Sequence, residues 1–509
     1  MSDRPIAFLA ALAVIACVLY QLVRPSKLPK VPIVGAKPGE WFALQRARWR
    51  NTFDTKTATQ TAYDEYRDRA CIFPIAGAQT FVQLPLHDAQ WLIERPDKDV
   101  SVLNGIIDTL QFNHTLMDPK LAHLPAHMSV ISGPLTREIG NLIPDLLDEI
   151  QFGVDHFWGH DRENYQTVGV FNSMSRIVGQ ATNRVFIGLP FCRNNALLDA
   201  AMAFSLDIPI SATLLHFFWQ PLRPLVAPLL TLPNRIHTNR AFNILRPEIE
   251  RRLKEYDGPK TGANDFLQWS IHQAKSLEDP YYGRVDTLAG RVLLNNFTSI
   301  HTSSFAITHV ILDLASSKQA YIDELREEIT SVLAENGGQW TKRTLAAMPK
   351  LDSAMRESQR LNSFVITATN RMVANPKGIT TPSGLWIPQG TMVCAPSYPV
   401  LHDPDLYSDP ESFKPFRFAD KRTALGEEGE SYVQRARQAW TTTSPEYPAF
   451  GHGRHACLGR FFASALLKLL LANILLNYDF EIQEKRPENF WFGSNRAPPM
   501  KATIRVRRR

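Results

Sequence analysis

The chain has 509 residues, of which 44% are hydrophobic and 21% charged, the composition of a globular protein with a sizeable core. Basic residues outnumber acidic ones by 56 to 50 and are dispersed except at 505–509, which argues against nucleic-acid binding and leaves open a basic face for an acidic partner or an anionic membrane. The five cysteines are odd in number, far apart and without a Cys-x-x-Cys pair, which argues against a disulfide scaffold or a zinc site and fits a reducing compartment.

Residues 6–23 form an apolar run that approaches the length of a membrane-spanning helix. A cleaved signal peptide is the alternative, but the run is long for one and no small-residue cleavage site follows it. Basic residues lie mainly after the run, so the positive-inside rule predicts that the rest of the chain is cytosolic. We expect three parts, namely a membrane anchor, a stiff proline-rich connector and a single large domain, over 1–23, 24–39 and 40–509.

The next stretches predict a β-hairpin over 71–86, a short helix over 87–94 and helices over 121–157. Residues 98–118 mix apolar and polar side chains and are expected to be irregular. Residues 197–256 are expected to be helical at both ends. Between those ends, the apolar stretch 214–230 is broken by prolines and cannot cross a bilayer as one helix, so it either lies in a membrane surface or is buried in the core.

Residues 285–316 contain no proline and show helical periodicity, which predicts a helix roughly 45 Å long. The remaining elements are expected to be charged helices over 318–336 and 351–361, a strand over 368–373, an irregular proline-rich segment over 404–448 with a charged insertion at 420–437, a helix over 461–477 and a β-turn over 488–499.

The stretch 450–459 reads Phe-Gly-His-Gly-Arg-His-Ala-Cys-Leu-Gly. Glycines let a backbone turn tightly and approach a flat ligand closely. A cysteine just before a helix has its thiolate favoured by free N–H groups and by the helix dipole, and such a thiolate suits an iron ion. Taken alone, Cys457 is more often an inert structural cysteine.

The whole pattern Phe-x-x-Gly-x-(Arg/His)-x-Cys-x-Gly resembles the haem-binding loop of the cytochrome P450 family. The Glu-x-x-Arg pair at Glu357 and Arg360, the Pro/Phe-rich segment that carries Arg417, the long helix with Thr302 near its middle and the apolar N-terminus extend this resemblance to nearly the whole chain. It implies a mainly α, triangular fold with small β-sheets, preceded by an N-terminal transmembrane helix, that encloses haem b and its iron.

The resemblance also implies roles for particular residues. The axial iron ligand would be Cys457, and the other haem-binding residues would be Phe450, Gly451, His455, Gly459 and Arg371. Proton delivery would fall to Thr302 and His301, which follow the family's small-residue pair at Thr298 and Ser299. A buried structural network would consist of Glu357, Arg360 and Arg417. The substrate pocket would be lined by Phe297, Phe305, Phe364, Ile366 and Trp491. Residues 98–118 would form a lid over it, with a plain surface loop as the alternative.

Two departures from the family pattern stand out. The Trp-x-x-x-Arg whose arginine usually reaches a haem propionate is absent, and His123 and His127 either replace it or are ordinary helix-surface histidines. His301 occupies the place of the usual acid before Thr302, a pair known in fungal members, so the route of proton delivery stays open.

The resemblance implies a monooxygenase that inserts one atom of O2 into an apolar substrate. No Gly-x-Gly-x-x-Gly occurs, so electrons would come from a separate NADPH-cytochrome P450 reductase at the endoplasmic reticulum membrane. The motifs are similar to those of fungal microsomal members that oxidise terpenoid or indole-terpenoid intermediates of secondary metabolism. The alternatives are a haem-thiolate isomerase or dehydratase that needs no reductase, and a non-enzymatic haem binder or sensor.

Overall fold

The structure is a computed structural model that describes residues 28–75, 80–258 and 262–509. The anchor predicted over 1–23 lies outside these residues. Helices are the main element, and we number them α1 to α21 in chain order: Ala43–Phe53, Thr55–Asp64, Ala89–Glu94, Val102–Thr109, Phe112–Thr115, Lys120–His123, His127–Val130, Thr136–Trp158, Val170–Phe186, Asn195–His216, Arg223–Leu230, Leu232–Lys254, Phe266–Ser276, Val285–Ala315, Gln319–Glu335, Lys342–Ala346, Pro349–Leu361, Tyr398–Leu401, Arg417–Glu427, Tyr432–Ala436 and Arg460–Asn477.

The strands are short and form small sheets. They are β1 to β12 in chain order: Cys71–Pro74, Thr80–Gln83, Val100–Ser101, Gln166–Gly169, Thr367–Val373, Ile379–Thr380, Trp386–Ile387, Met392–Pro396, Tyr478–Phe480, Phe490–Phe492, Asn495–Ala497 and Thr503–Arg508. Their orders are β1-β2-β8-β5-β3, β4-β12-β9, β10-β11 and β6-β7. The predicted mainly helical fold with small sheets is therefore confirmed.

Contacts divide the chain into two compact units, each built from separate stretches. Among the described residues, unit 1 contains 28–115, 209–232 and 369–396, and unit 2 contains 116–208, 233–368 and 397–509.

In unit 1, the hairpin predicted over 71–86 is formed by β1 and β2, which pair antiparallel, and β2 continues the sheet by pairing parallel with β8. The sheet buries Val82 and Val393 in an apolar cluster with Leu92. Part of the predicted connector is bound to this sheet, because the N–H of Val34 donates to the carbonyl of Ile72 at 2.9 Å.

In unit 2, α14 confirms the predicted long helix and is buried along most of its 31 residues. Its backbone is continuous because it contains no proline and begins only after the turn Pro280–Gly283. The final helix α21 is also apolar and mostly buried. Trp158 at the end of α8 packs edge-to-face on Tyr478 of β9 at 5.3 Å, which joins the small β4-β12-β9 sheet to the helices.

Two predicted irregular segments are helical, so those predictions are wrong. Residues 98–118 contain α4 and α5, and α4 begins where the Ser101 hydroxyl accepts the N–H of Asn104. The predicted charged insertion at 420–437 lies in α19 and α20, and Ser431 and Gln434 form a capping box at the start of α20. The apolar stretch 214–230 is not one continuous helix, as its prolines predicted, because α10 ends at His216 and α11 covers only Arg223–Leu230.

Among the described residues, α10 and α21 are the helices long and apolar enough to span a bilayer by length and composition. In α21, 72% of the apolar window is buried within the protein, as expected of a core helix.

Candidate functional site

The loop that carries Cys457 is held by its own backbone. The N–H of Cys457 donates to the carbonyl of Phe450 at 2.7 Å, and the N–H of Ala456 donates to the carbonyl of Gly453 at 3.0 Å. Gly451 and Gly453 have φ values of +69° and +73°, in the left-handed region that glycine adopts at least cost. These glycines let the loop fold back on itself and present the cysteine at its end.

Two other predicted haem-binding residues, His455 and Gly459, belong to the same loop. His455 ends the turn Gly453–His455, and α21 begins at Arg460 directly after Gly459. A Cβ built on Gly459 would meet no atom within 4 Å, so this side of the loop borders open space. Arg460 Nη1 donates to the carbonyl of Cys457 at 2.8 Å, which joins the first turn of the helix to the cysteine.

The thiol of Cys457 is accessible, whereas Cys71 and Cys192 are buried. Burial raises the pKa of Cys71 and of Cys192 to about 12, so these two thiols stay protonated and inert. Desolvation also raises the pKa of Cys457, opposed by hydrogen bonds from the N–H groups of Gly459 and Arg460 and by the Arg460 charge. A sulfur that is accessible and yet desolvated lines an internal space. The N–H groups directed at this sulfur would stabilise a thiolate.

The segment before the loop is anchored to α17, which the sequence analysis missed. Trp440 Nε1 and Tyr447 Oη donate to Gln359 Oε1 at 2.6 and 3.1 Å, and the N–H of Trp440 donates to Asp352 Oδ2 at 2.7 Å. The ring of Phe450 lies 5.6 Å from that of Trp440. Asp352 and Gln359 are seven residues apart, about two helical turns, so they lie on the same face of α17. This spacing is the sequence feature from which a polar anchoring face could have been predicted.

Glu357, Arg360 and Arg417 meet in one buried network. Both Arg360 Nε and Nη2 donate to the Glu357 carboxylate, at 2.8 and 2.9 Å, and Arg417 Nε donates to it at 3.0 Å. The outer nitrogens of the two arginines donate to the carbonyls of Leu401 and Ser408. Glu357 and Arg360 are fully buried, and this complete pairing is what makes buried charges tolerable.

The middle of α14 carries an accessible window. Thr298 and Thr302 are exposed, while the helix is buried on both sides of them. Thr302 Oγ1 donates to the carbonyl of Thr298 at 2.8 Å, the usual bond of a helical hydroxyl. An accessible patch inside a core helix indicates that a space borders these threonines.

His301 points elsewhere. It lies about 100° around the helix from Thr302, is 9% exposed, and its Nε2 hydrogen-bonds to the carbonyl of Met202 on α10 at 3.2 Å. Burial lowers the pKa of His301, so the imidazole is neutral at pH 7. The histidine therefore contacts a neighbouring helix and not the accessible window.

The predicted pocket residues separate into groups. Phe305 and Phe364 form an apolar cluster with Phe171 and Ala497, with Phe305 5.6 Å from Phe171 and 5.5 Å from Phe364 by ring centroids. Ile366 is fully buried nearby in sequence.

The other two predicted pocket residues have different surroundings. Phe297 is half-buried beside the window residue Thr298. Trp491 packs edge-to-face on Tyr398 at 4.9 Å and covers the guanidinium of Arg496, so the contacts of its ring lie outside the Phe305 cluster.

Of the candidate propionate partners, Arg371 is buried on β5 in unit 1, where it is 3% exposed. His123 is an exposed residue at the end of α6, as expected of a helix-surface histidine. His127 is buried, and burial with the nearby charge of Arg291 lowers its pKa to about 4.

These residues fit a haem. Among the described residues, no group of three or more His, Cys, Asp or Glu side chains could hold a bare metal ion. The accessible thiol of Cys457 suits a metal that brings its other ligands with it, as haem iron does. The open space beside Gly459 and the window at Thr302 leave room for a flat group.

Comparison with known proteins agrees with this site. The family model described as "Cytochrome P450" matches residues 146–500. The chain is 33% identical to cytochrome P450 monooxygenase 71 of Postia placenta over 508 residues, covering 98% of this chain and 97% of the relative. It is 30% identical to cytochrome P450 monooxygenase tenB of Beauveria bassiana over 513 residues, covering 97% of this chain and 95% of the relative.

A solved structure shares the fold. Retinoic acid-bound cyanobacterial CYP120A1 superposes with a TM-score of 0.66 over 95% of this chain and 100% of its own, at 17% identity. The family match over most of the chain, the full-length fungal monooxygenase relatives and the accessible cysteine in its glycine-rich loop lead to one conclusion: this chain belongs to the cytochrome P450 family, an oxidoreductase family that binds haem iron.

Proposed function

We propose that this protein is a haem-thiolate monooxygenase that inserts one atom of O2 into an apolar, terpenoid-type substrate, with electrons from NADPH through a separate reductase. The observation that carries this proposal is the accessible Cys457 thiol at the start of α21, with two backbone N–H groups directed at it. When bound, a haem with a thiolate ligand supplies the activation of dioxygen.

The protein's own part begins with holding the ligand sulfur. The carbonyl of Phe450 and the side chain of Arg460 fix the backbone of Cys457 from both sides. Metal binding requires the thiolate, and the N–H groups of Gly459 and Arg460 favour that form. We assign Glu357, Arg360 and Arg417 to the scaffold that keeps the surrounding segment in place.

Proton delivery is assigned to Thr302. Its hydroxyl donates to the helix backbone and retains lone pairs for a water or a bound oxygen in the accessible window. His301 is assigned a positioning role, because its imidazole is neutral, buried and bonded to Met202 on another helix.

An apolar substrate is supported by the cluster of Phe171, Phe305, Phe364 and Ala497, which offers aromatic faces and no charge. The terpenoid class is supported by the resemblance of the loop and of the Ile300-His301-Thr302 motif to fungal members with such substrates. That support is an analogy at the level of the family.

The redox partner is proposed from charge. Arg454 is exposed in the cysteine loop, and Arg437 is exposed before it. This basic part of unit 2 therefore suits docking by an acidic surface of the reductase. Replacing Arg454 with Glu should raise the reductase concentration needed for half-maximal turnover, and the difference from wild type should shrink at high salt.

Membrane residence at the endoplasmic reticulum is proposed from the apolar N-terminus and from the surface of unit 1. Trp41, Phe53 and Leu225 are 80%, 84% and 76% exposed, which is unusual for a protein surrounded only by water. Amphipathic helices with such residues lie in the interface of a bilayer.

The deciding experiment measures the haem spectrum and the cofactor requirements together. The full chain in detergent should show the thiolate-type absorption of the reduced carbon monoxide complex. With a reductase and NADPH it should place one atom of 18O2 in the product. Product formed without O2 and NADPH would instead identify an isomerase or dehydratase.

The substrate class is tested separately. Matched panels of terpenoids and of apolar aromatic compounds, at equal concentration, should be screened for a shift of the haem absorption. Shifts confined to the aromatic panel would refute the terpenoid class while leaving the monooxygenase proposal intact.

A further inference from the structure

Arg291 on α14 is a buried cation with no hydrogen-bonding or acidic partner among the described residues. Its side chain is 0% exposed, and its Nε, Nη1 and Nη2 atoms donate no hydrogen bond to any described residue. Its guanidinium lies over the ring of Tyr282, whose centroid is 5.0 Å from Arg291 Cζ. A guanidinium stays protonated at all ordinary pH values, so a full charge is buried here.

No carboxylate in the described part of the chain balances this charge. Desolvation lowers the pKa of Arg291, and the groups that oppose this are the phenols of Tyr281 and Tyr282. Asp118, near Tyr281, accepts the Tyr281 hydroxyl at 2.8 Å. Buried charges in proteins are paired or hydrogen-bonded, so Arg291 requires an acceptor that the described side chains do not supply.

Two further buried polar groups near Arg291 lack partners among the described residues. Asn295 is 2% exposed with an unpartnered Nδ2, and His127 is 7% exposed with an unpartnered Nδ1. Asn295 lies one turn after Arg291 and therefore on the same side of α14. His127 is close enough for the Arg291 charge to lower its pKa.

Arg291 and Asn295 share a side of α14 with the accessible window. Relative to Thr302, Arg291 is eleven residues and about three turns earlier, which returns it to nearly the same angular position about 16 Å away along the axis. Asn295 and Thr298 lie between them on that side. In addition, Thr287, Gly290 and Leu293 line a cavity of about 360 Å³, whose charged lining residues are Asp118, Lys120, Arg284 and Asp286.

We propose that Arg291, together with Asn295 and His127, binds a carboxylate group. A planar guanidinium offers two parallel N–H donors that match the two oxygens of a carboxylate, and the Asn295 amide adds a further donor. The carboxylate belongs either to a haem propionate, for which this chain lacks the family's Trp-x-x-x-Arg, or to an acidic small molecule in the neighbouring cavity. The first source rests on the haem binding proposed above, whereas the second does not.

The first arm of the test compares haem with its dimethyl ester, in which both propionates are esterified. Haem transfer to apomyoglobin is timed for wild type, Arg291→Gln and Arg291→Lys, each reconstituted with either form. If the carboxylate is a propionate, Arg291→Gln releases haem at least tenfold faster than wild type, Arg291→Lys restores part of the loss, and the ester form is released equally fast from wild type and Arg291→Gln.

The second arm compares lauric acid with methyl laurate by their effect on Tm. If the carboxylate comes from a small molecule, lauric acid raises the Tm of wild type by several degrees more than its ester does, and Arg291→Gln loses this difference. Arg251→Gln is the matched control, because it removes an exposed arginine of α12 whose partners are Glu248 and Glu255, and none of these residues lines the cavity. It should behave as wild type in both arms.

The proposal is overturned if Arg291→Gln matches wild type in both arms, which is the result expected if buried water alone solvates the guanidinium. If Arg291→Gln fails to fold, the Arg291→Lys variant and the comparison of each acid with its ester on the wild-type protein still test the proposal. A wild-type protein that prefers neither haem nor lauric acid over the corresponding ester contradicts it. A wild-type chain that binds no haem would refute the proposed function, and the lauric acid arm would still test Arg291.

Discussion

Arg486 and Asp313 form a salt bridge that ties the segment before the β10–β11 hairpin to the central helix α14. Arg486 Nη2 also donates to Nδ1 of His309 on the same helix at 2.9 Å. Asp313 Oδ2 in turn accepts Ser358 Oγ at 2.6 Å. The hairpin contributes Ala497 to the apolar cluster around Phe305. The ion pair therefore helps to hold Ala497 in that cluster.

Arg486→Gln is therefore expected to lower the free energy of unfolding by about 3–5 kcal/mol, since it leaves the buried Asp313 carboxylate without its cation. The double variant Arg486→Gln/Asp313→Asn should recover part of that loss. Lys485→Gln is the control, because Lys485 and its partner Glu488 are 82% and 87% exposed and such pairs contribute little. Denaturant unfolding measures all of these, and equal losses in Arg486→Gln and Lys485→Gln would refute the tether.

Cys457→Ser should abolish the thiolate-type absorption of the reduced carbon monoxide complex, because a hydroxyl does not replace a thiolate as the iron ligand. Cys71→Ala should keep the spectrum, since Cys71 is buried and its raised pKa keeps the thiol protonated. The spectra of the purified proteins decide. A thiolate spectrum that persists in Cys457→Ser would show that another residue holds the iron.

Thr302→Ala should retain haem and substrate binding but lower product formed per NADPH by about 10²-fold, with more hydrogen peroxide released, because a positioned proton-transfer group is lost. Thr302→Ser should restore most of the coupling. His301→Ala should have a smaller effect, since the imidazole bonds to Met202. NADPH, product and peroxide are measured in the same reaction, and the reverse order of effects would make His301 the proton relay.

Glu357→Gln should leave little haem-loaded protein, because it removes the carboxylate shared by Arg360 and Arg417. Loss of one partner of a buried ion pair costs about 3–5 kcal/mol. Glu324→Gln breaks the half-exposed pair with Lys350 and should cost less than about 1 kcal/mol. The haem-to-protein absorbance ratio and the Tm report the outcome, and equal behaviour of the two variants would argue against the network's role.

Leu225→Glu/Leu229→Glu should weaken membrane association of a chain that starts at Lys27. Both leucines are 76% exposed on α11, and charged side chains there oppose insertion into the lipid interface. Tyr432→Glu, at a 72% exposed position in unit 2, is the control. Liposome flotation measures binding, and unchanged flotation of the double variant would mean that this surface does not contact lipid.

Local pattern alone determined much of this protein. The proline-free periodicity of 285–316 predicted α14 to within one residue at its end, and the glycines around Cys457 predicted a tight loop before a helix. The three-residue spacing of Glu357 and Arg360 placed them on one helical face. Each of these follows from contacts between residues close in sequence.

Tertiary structure decided what depends on distant partners. Residues 98–118 and 420–437 have mixed compositions but become helical through caps and packing that composition does not show. The attachment of Trp440 to Asp352 and the pairing of Arg486 with Asp313 join residues about 90 and 170 positions apart. Arg291 resembles any helical arginine in the sequence, and only its burial without a counter-charge reveals a binding group, because burial is a property of the packed chain.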